Sequence, residues 1–67
     1  MMKKMTLVAW KKACGLEKKN IIHWDYTSIV NTTRRNAELC YEQGFITASV
    51  RDKAIAYGES VANSRSY

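Results

Sequence analysis

Residues 25–44, DYTSIVNTTRRNAELCYEQG, decide the fold. Tyr26, Ile29, Val30, Thr33, Ala37, Cys40 and Tyr41 fall at i, i+3, i+4, i+7, i+11, i+14 and i+15. That spacing puts them on one face of an amphipathic helix. Asp25 stands where an N-cap carboxylate is wanted, and Gly44 where a helix ends in the left-handed conformation. The pattern predicts a helix over about 25–43. Gly44-Phe45-Ile46-Thr47 is a short connection. After it, Thr47 and Ser49 are both good N-caps, and Asp52 sits three residues beyond Ser49 as a capping-box acid. Val50, Ala54, Tyr57 and Val61 form one stripe, with Ala54, Gly58 and Ala62 four apart beside it. Small residues at that spacing admit another helix at close range. Helices at about 25–43 and 48–63 are therefore expected to fold back as an antiparallel αα-hairpin.

Upstream, Leu7, Trp10 and Cys14 recur at i, i+3 and i+7, so a helix is expected within residues 2–14, broken by Gly15. The pairs Lys3–Lys4, Lys11–Lys12 and Lys18–Lys19 recur seven or eight apart, away from the apolar stripe. Residues 16–24 are less decided. Ile22, Trp24 and Tyr26 alternate as in a strand, but so short a strand has no obvious partner, and helix is favoured. There is no proline to interrupt a helix. The expected fold is all-α: one small domain over 1–67, with three to four short helices ending in the hairpin. Ser64–Tyr67 is expected to fray.

A chain of 67 residues buries only about 60% of its unfolded surface, so its own core is thin and a homodimer is expected. Two cysteines, Cys14 and Cys40, are too few for a disulfide scaffold. A reducing, cytoplasmic setting with both as small apolar residues fits better. The opening Met-Met-Lys-Lys-Met-Thr-Leu-Val-Ala-Trp imitates a secretory signal, but its apolar stretch stops at Lys11. Nothing approaches a membrane span, and no membrane partner is expected.

Charge divides by position. Residues 1–35 carry eight Lys/Arg against two acids, a net of +6, while residues 36–67 carry three against four, a net of −1. A one-sided positive field concentrates anionic partners, of which nucleic acid is the commonest. Within the basic half, residues 7–26 resemble the general helix-turn-helix pattern. Trp10 and Cys14 stand as the buried pair of a first helix, Gly15 in the turn, Leu16 after it, and Ile21 and Trp24 as anchors of a second helix. Lys11 departs from the pattern, which wants a small residue there because the helices cross closely. The resemblance implies that Glu17, Lys18, Lys19, Asn20, Ile22 and His23 face base edges in the major groove. Lys3, Lys4, Lys11, Lys12, Arg34 and Arg35 would then hold phosphates.

The same residues have plainer readings. Two ordinary core helices joined at Gly15, with lysines on a solvated face, fit the pattern as well. Trp10 and Trp24 lie among basic residues, as base-stacking side chains do, but both fall on the core stripe, and core is favoured. Lysines near Cys14 favour its thiolate, whereas burial makes it inert. His23, Cys14 and Cys40 lack the local ligand pairs of a zinc site, so neither metal nor cofactor is expected. His23 with Asp25 and a nearby serine lacks a nucleophile motif, and no catalysis is expected. The leading expectation is a small non-enzymatic DNA-binding regulator of the kind phages and mobile elements encode. It would act through Lys11, Lys12, Lys18, Lys19, Asn20, His23, Arg34 and Arg35. The alternative is a protein-interaction factor, an inhibitor or adaptor, whose basic face docks on an acidic protein surface. A third is an assembly component that contacts nucleic acid without sequence preference.

Overall fold

The computed structural model describes residues 4–64, so Lys3 and the tail beyond Ser64 lie outside the described residues. Its helices are α1 (Leu7–Cys14), α2 (Lys18–Ile21), α3 (Tyr26–Glu42) and α4 (Ala48–Ser64). There is no strand among the described residues. The fold is all-α, and α3 and α4 form the expected hairpin. No helix is long and apolar enough to cross a membrane among the described residues.

The hairpin begins and ends where local chemistry dictates. Asp25 has extended backbone, and its Oδ1 accepts from the Ser28 N–H at 2.9 Å. This satisfies a donor that the first helical turn leaves unpaired. Gly44 takes φ +82° and donates its N–H to Tyr41 O at 3.0 Å, while Phe45 N–H bonds Cys40 O at 2.9 Å. Those two bonds make a Schellman closure. α4 is capped by Thr47, whose Oγ1 accepts from Val50 N–H at 3.2 Å. The capping box expected from Ser49 and Asp52 is not formed. Ser49 already lies inside α4, and Asp52 instead accepts from the Arg51 guanidinium at 2.9 Å.

The helices meet along Ile29, Thr33 and Ala37 of α3 and Ala54, Gly58, Val61 and Ala62 of α4, all buried. A Cβ placed on Gly58 would lie 2.6 Å from Thr33 Cβ, so only glycine permits this approach. The Thr33 hydroxyl donates to Ile29 O within its own helix, which leaves no unpaired polar atom at the contact. The buried seam is narrower than the sequence stripe. Tyr26 and Tyr41 are 49% and 41% exposed. The fully buried α3 positions are the Ile29–Thr33–Ala37 line, with Val30 and Cys40 partly buried beside it. Tyr41 lies at the edge, its ring 4.5 Å from the Arg51 guanidinium carbon.

The basic N-terminal segment packs over this hairpin. Met5 N–H bonds Phe45 O and the Lys4 ammonium bonds Gly44 O, both at 2.8 Å. α1, within the expected stretch, is capped by Thr6, whose Oγ1 accepts from Ala9 N–H. It ends at Gly15, φ +69°, with Gly15 N–H on Lys12 O and Leu16 N–H on Lys11 O. α1 rests on α4 and buries Trp10 completely. Trp10, Leu16, Ile21, Ile29, Ala37, Ile46, Ala54, Val61 and Ala62 make one hydrophobic cluster, so every helix and both main connections contribute to the core.

Candidate nucleic-acid interface

Buried Leu16 and Ile21 pin a short polar turn against the core. The three residues between Glu17 and Ile21, namely Lys18, Lys19 and Asn20, are all exposed. Because α2 is a single turn with Ile21 facing inward, these side chains spread over its remaining circumference. Lys19 Nζ lies 3.9 Å from Glu17 Oε1 and stays mostly exposed, so this pair neutralises little of the local charge. Lys12 is exposed in the last turn of α1, where a cation also complements the helix dipole. Arg34 and Arg35 are exposed at mid-α3, off the seam that faces α4. Lys12, Lys18, Arg34 and Arg35 form no ion pair with any described residue.

Three expectations for this region need correction. The second helix expected over 16–24 is the one-turn α2, Lys18–Ile21. Ile22 closes that turn by bonding Lys18 O, and Trp24 N–H bonds Ile21 O. Asp25 must then be extended to cap α3, so the path cannot continue as helix. Nor do Ile22, Trp24 and Tyr26 form a strand. His23, expected on the second helix with Lys18 and Asn20, is exposed in the turn after it. Glu17, expected at a base edge, is half-buried beside Tyr57.

Lys11 also differs from its expected role. It is half-buried, with Nζ 4.5 Å from the centroid of the Tyr57 ring. Its stem covers α4, so α1 crosses α4 where the helix-turn-helix pattern would have it cross a second helix. Tyr57 in turn donates its hydroxyl to Leu16 O at 2.6 Å and ties the α1–α2 connection to α4. Burial, and secondarily the nearby Glu17, push the Tyr57 phenol above its ordinary pKa.

The two tryptophans part company. Trp10 is fully buried, and its indole Nε1–H finds no acceptor among the described residues. Trp24 is half-buried and, with Asp25, Ser28 and Thr32, lines an open groove of about 470 Å³ beside α3. Sequence periodicity marked both rings as core and did not separate them. Cys14 and Cys40 are both free and half-buried against the hydrophobic cluster. Burial, with a contribution from Cys40, pushes the Cys14 thiol up to about 11. Among the described residues, no three His, Cys, Asp or Glu side chains gather as metal ligands would. Comparison with protein-family models, with curated proteins and with solved structures found no match for this chain.

Proposed function

We propose that this chain is a small non-enzymatic DNA-binding factor that holds the phosphate backbone through its basic N-terminal half. The carrying observation is the set Lys12, Lys18, Arg34 and Arg35, exposed and unpaired with any described acid, in a half-chain of net charge +6. Lys19, Asn20 and His23 extend that exposed polar set, while Lys11 contributes charge from a packed position. A one-turn α2 is too short to serve as a major-groove recognition helix of the usual kind. The reading therefore rests on phosphate contacts, which position a protein without reading sequence. Occupancy of DNA is the mechanism, and regulation by occupancy is the role it suits.

The test is fluorescence anisotropy of a labelled random duplex titrated at low and at physiological salt. Four phosphate contacts predict roughly 100-fold weaker binding between about 50 and about 200 mM salt. The double variant Lys12→Ala/Lys18→Ala should weaken binding uniformly across sequences and flatten the salt dependence by about two contacts. Absence of binding even at low salt overturns the proposal. The reading as a protein-interaction factor would then take its place, favoured by the exposed apolar side chains Val8 (60%) and Leu39 (48%).

A further inference from the structure

Trp24 is half-buried: it packs against the hydrophobic cluster and also lines the open groove beside α3. Asp25, Ser28 and Thr32 complete that groove, whose volume of about 470 Å³ is within the range of small-ligand sites. Asp25 and Ser28 are exposed and Thr32 is half-buried, so the groove opens to solvent. Packing on the core restricts the Trp24 ring, and a restricted ring loses little freedom when a ligand stacks on it. Ser28, Thr32 and Arg35 fall at i, i+4 and i+7, on one face of α3. Arg35 thus stands about 5 Å along the helix from Thr32, just beyond the groove. It is exposed and forms no ion pair with any described residue. Charge along this face therefore runs from the Asp25 carboxylate to an unpaired guanidinium.

A polyanion that carries aromatic rings matches that order. Its phosphate meets Arg35 and its ring lies on Trp24. The hydroxyls of Ser28 and Thr32 donate or accept, so they suit the edge of any base. The Asp25 carboxylate accepts from an amino edge and repels phosphate from its own end of the groove. A cationic ligand would suit Trp24 and Asp25 taken alone, but it would have to approach a half-chain of net charge +6. We propose that the Trp24 groove is a single-stranded DNA site, in which an unpaired base stacks on the Trp24 ring and Arg35 holds its flanking phosphate. A base inside a duplex is paired and stacked on its neighbours and cannot reach the ring without being extruded. Duplex is then held by phosphate contacts alone, and single strands gain the stacking contact as well. This inference rests on the phosphate-binding reading above and adds to it a preference for unpaired DNA.

The full chain is titrated at about 50 mM salt with a mixed-sequence single strand of about 12 nucleotides and with the same sequence as duplex. Affinity is read by anisotropy of labelled DNA, and indole emission is followed with unlabelled DNA. Trp10 is fully buried, so quenching on binding reports Trp24. Single strand should quench the emission and duplex should not. Trp24→Ala should weaken single-strand binding about 5- to 150-fold and leave duplex binding unchanged. Ser28→Leu, at an exposed position, fills the groove and leaves Trp24 packed, and it should show the same selective loss. It decides the matter if circular dichroism shows that Trp24→Ala does not fold. Arg35→Ala should weaken both DNAs. Duplex binding with no quenching by single strand, or losses equal on the two DNAs in Trp24→Ala and Ser28→Leu, would overturn the groove and leave the phosphate reading standing. Binding of neither DNA would remove both.

Discussion

Gly58 and Thr33 meet at the tightest point of the hairpin, and each explains the other. Alanine normally stabilises a helix interior by about 1 kcal/mol over glycine. Here the added Cβ would stand 2.6 Å from Thr33 Cβ, so the sign reverses. Gly58→Ala is expected to cost about 1–3 kcal/mol in urea denaturation. Thr33→Ala should restore much of that loss when combined with it, because the obstructing atoms are those of the threonine side chain. Equal destabilisation in both backgrounds would show that the contact is not the cause. Ala54, Gly58 and Ala62 at four-residue spacing made the close approach legible in the sequence. The partner residue was not, because threonine at a helix interior carries no mark of what lies opposite. Lys11 is a similar case. Its place in a run of lysines reads as solvated charge, yet its ammonium lies over the Tyr57 ring. An aliphatic stem can cover apolar surface while its head stays near water, so a lysine's letter alone does not say whether it packs.

The elements follow their end signals closely where those signals are local. Asp25, Gly44 and Gly15 act at the positions the sequence marked. Thr47 and Ser49 were equivalent by composition, and the structure distinguishes them through the Val50 N–H on Thr47 Oγ1. Thr47→Ala should therefore lower stability by about 1 kcal/mol, while Ser49→Ala, inside the helix, should be neutral or slightly stabilising. The opposite order would move the start of α4. α2 was the least legible element. Its length is set by the need to bury Leu16 and Ile21 and then return an extended Asp25 to cap α3. Those demands come from neighbouring elements, and apolar spacing over 16–24 contains neither. The candidate interface inherits this: exposure of Lys18, Lys19 and Asn20 matches the sequence reading, while the long second helix that was to carry them with His23 does not exist.

At the scale of the molecule, the N-terminal half is held to the hairpin by a few buried side chains and a few specific bonds, among them Tyr57 Oη to Leu16 O. Two of the groups at this junction titrate in the alkaline range. Cys14 is raised from 9.0 to about 11, first by burial and then by Cys40, and Tyr57 is raised above 10.0, first by burial and then by Glu17. Both are neutral when protonated, so the folded chain holds these protons to higher pH than the unfolded chain does. Their stabilisation is complete below the unfolded values and declines as pH rises through the folded ones. The urea midpoint should therefore stay level up to about pH 9 and fall between about pH 9 and 11. Tyr57→Phe should reduce that alkaline fall, since it removes one of the two ionisations. A midpoint that stays level through this range would contradict the assignment.

The sequence by itself determined the all-α class, the hairpin with both ends of its first helix, and the concentration of positive charge in residues 1–35. Those features depend on spacing, capping chemistry and composition, which are properties of residues near one another in the chain. Only the tertiary structure decided that α2 is one turn, that Lys11 packs on Tyr57, and that Trp10 and Trp24 differ in burial. Each of these depends on what a neighbouring element buries or caps. Those outcomes are set by how the N-terminal segment lies across the finished hairpin, a choice governed by packing rather than by any local periodicity.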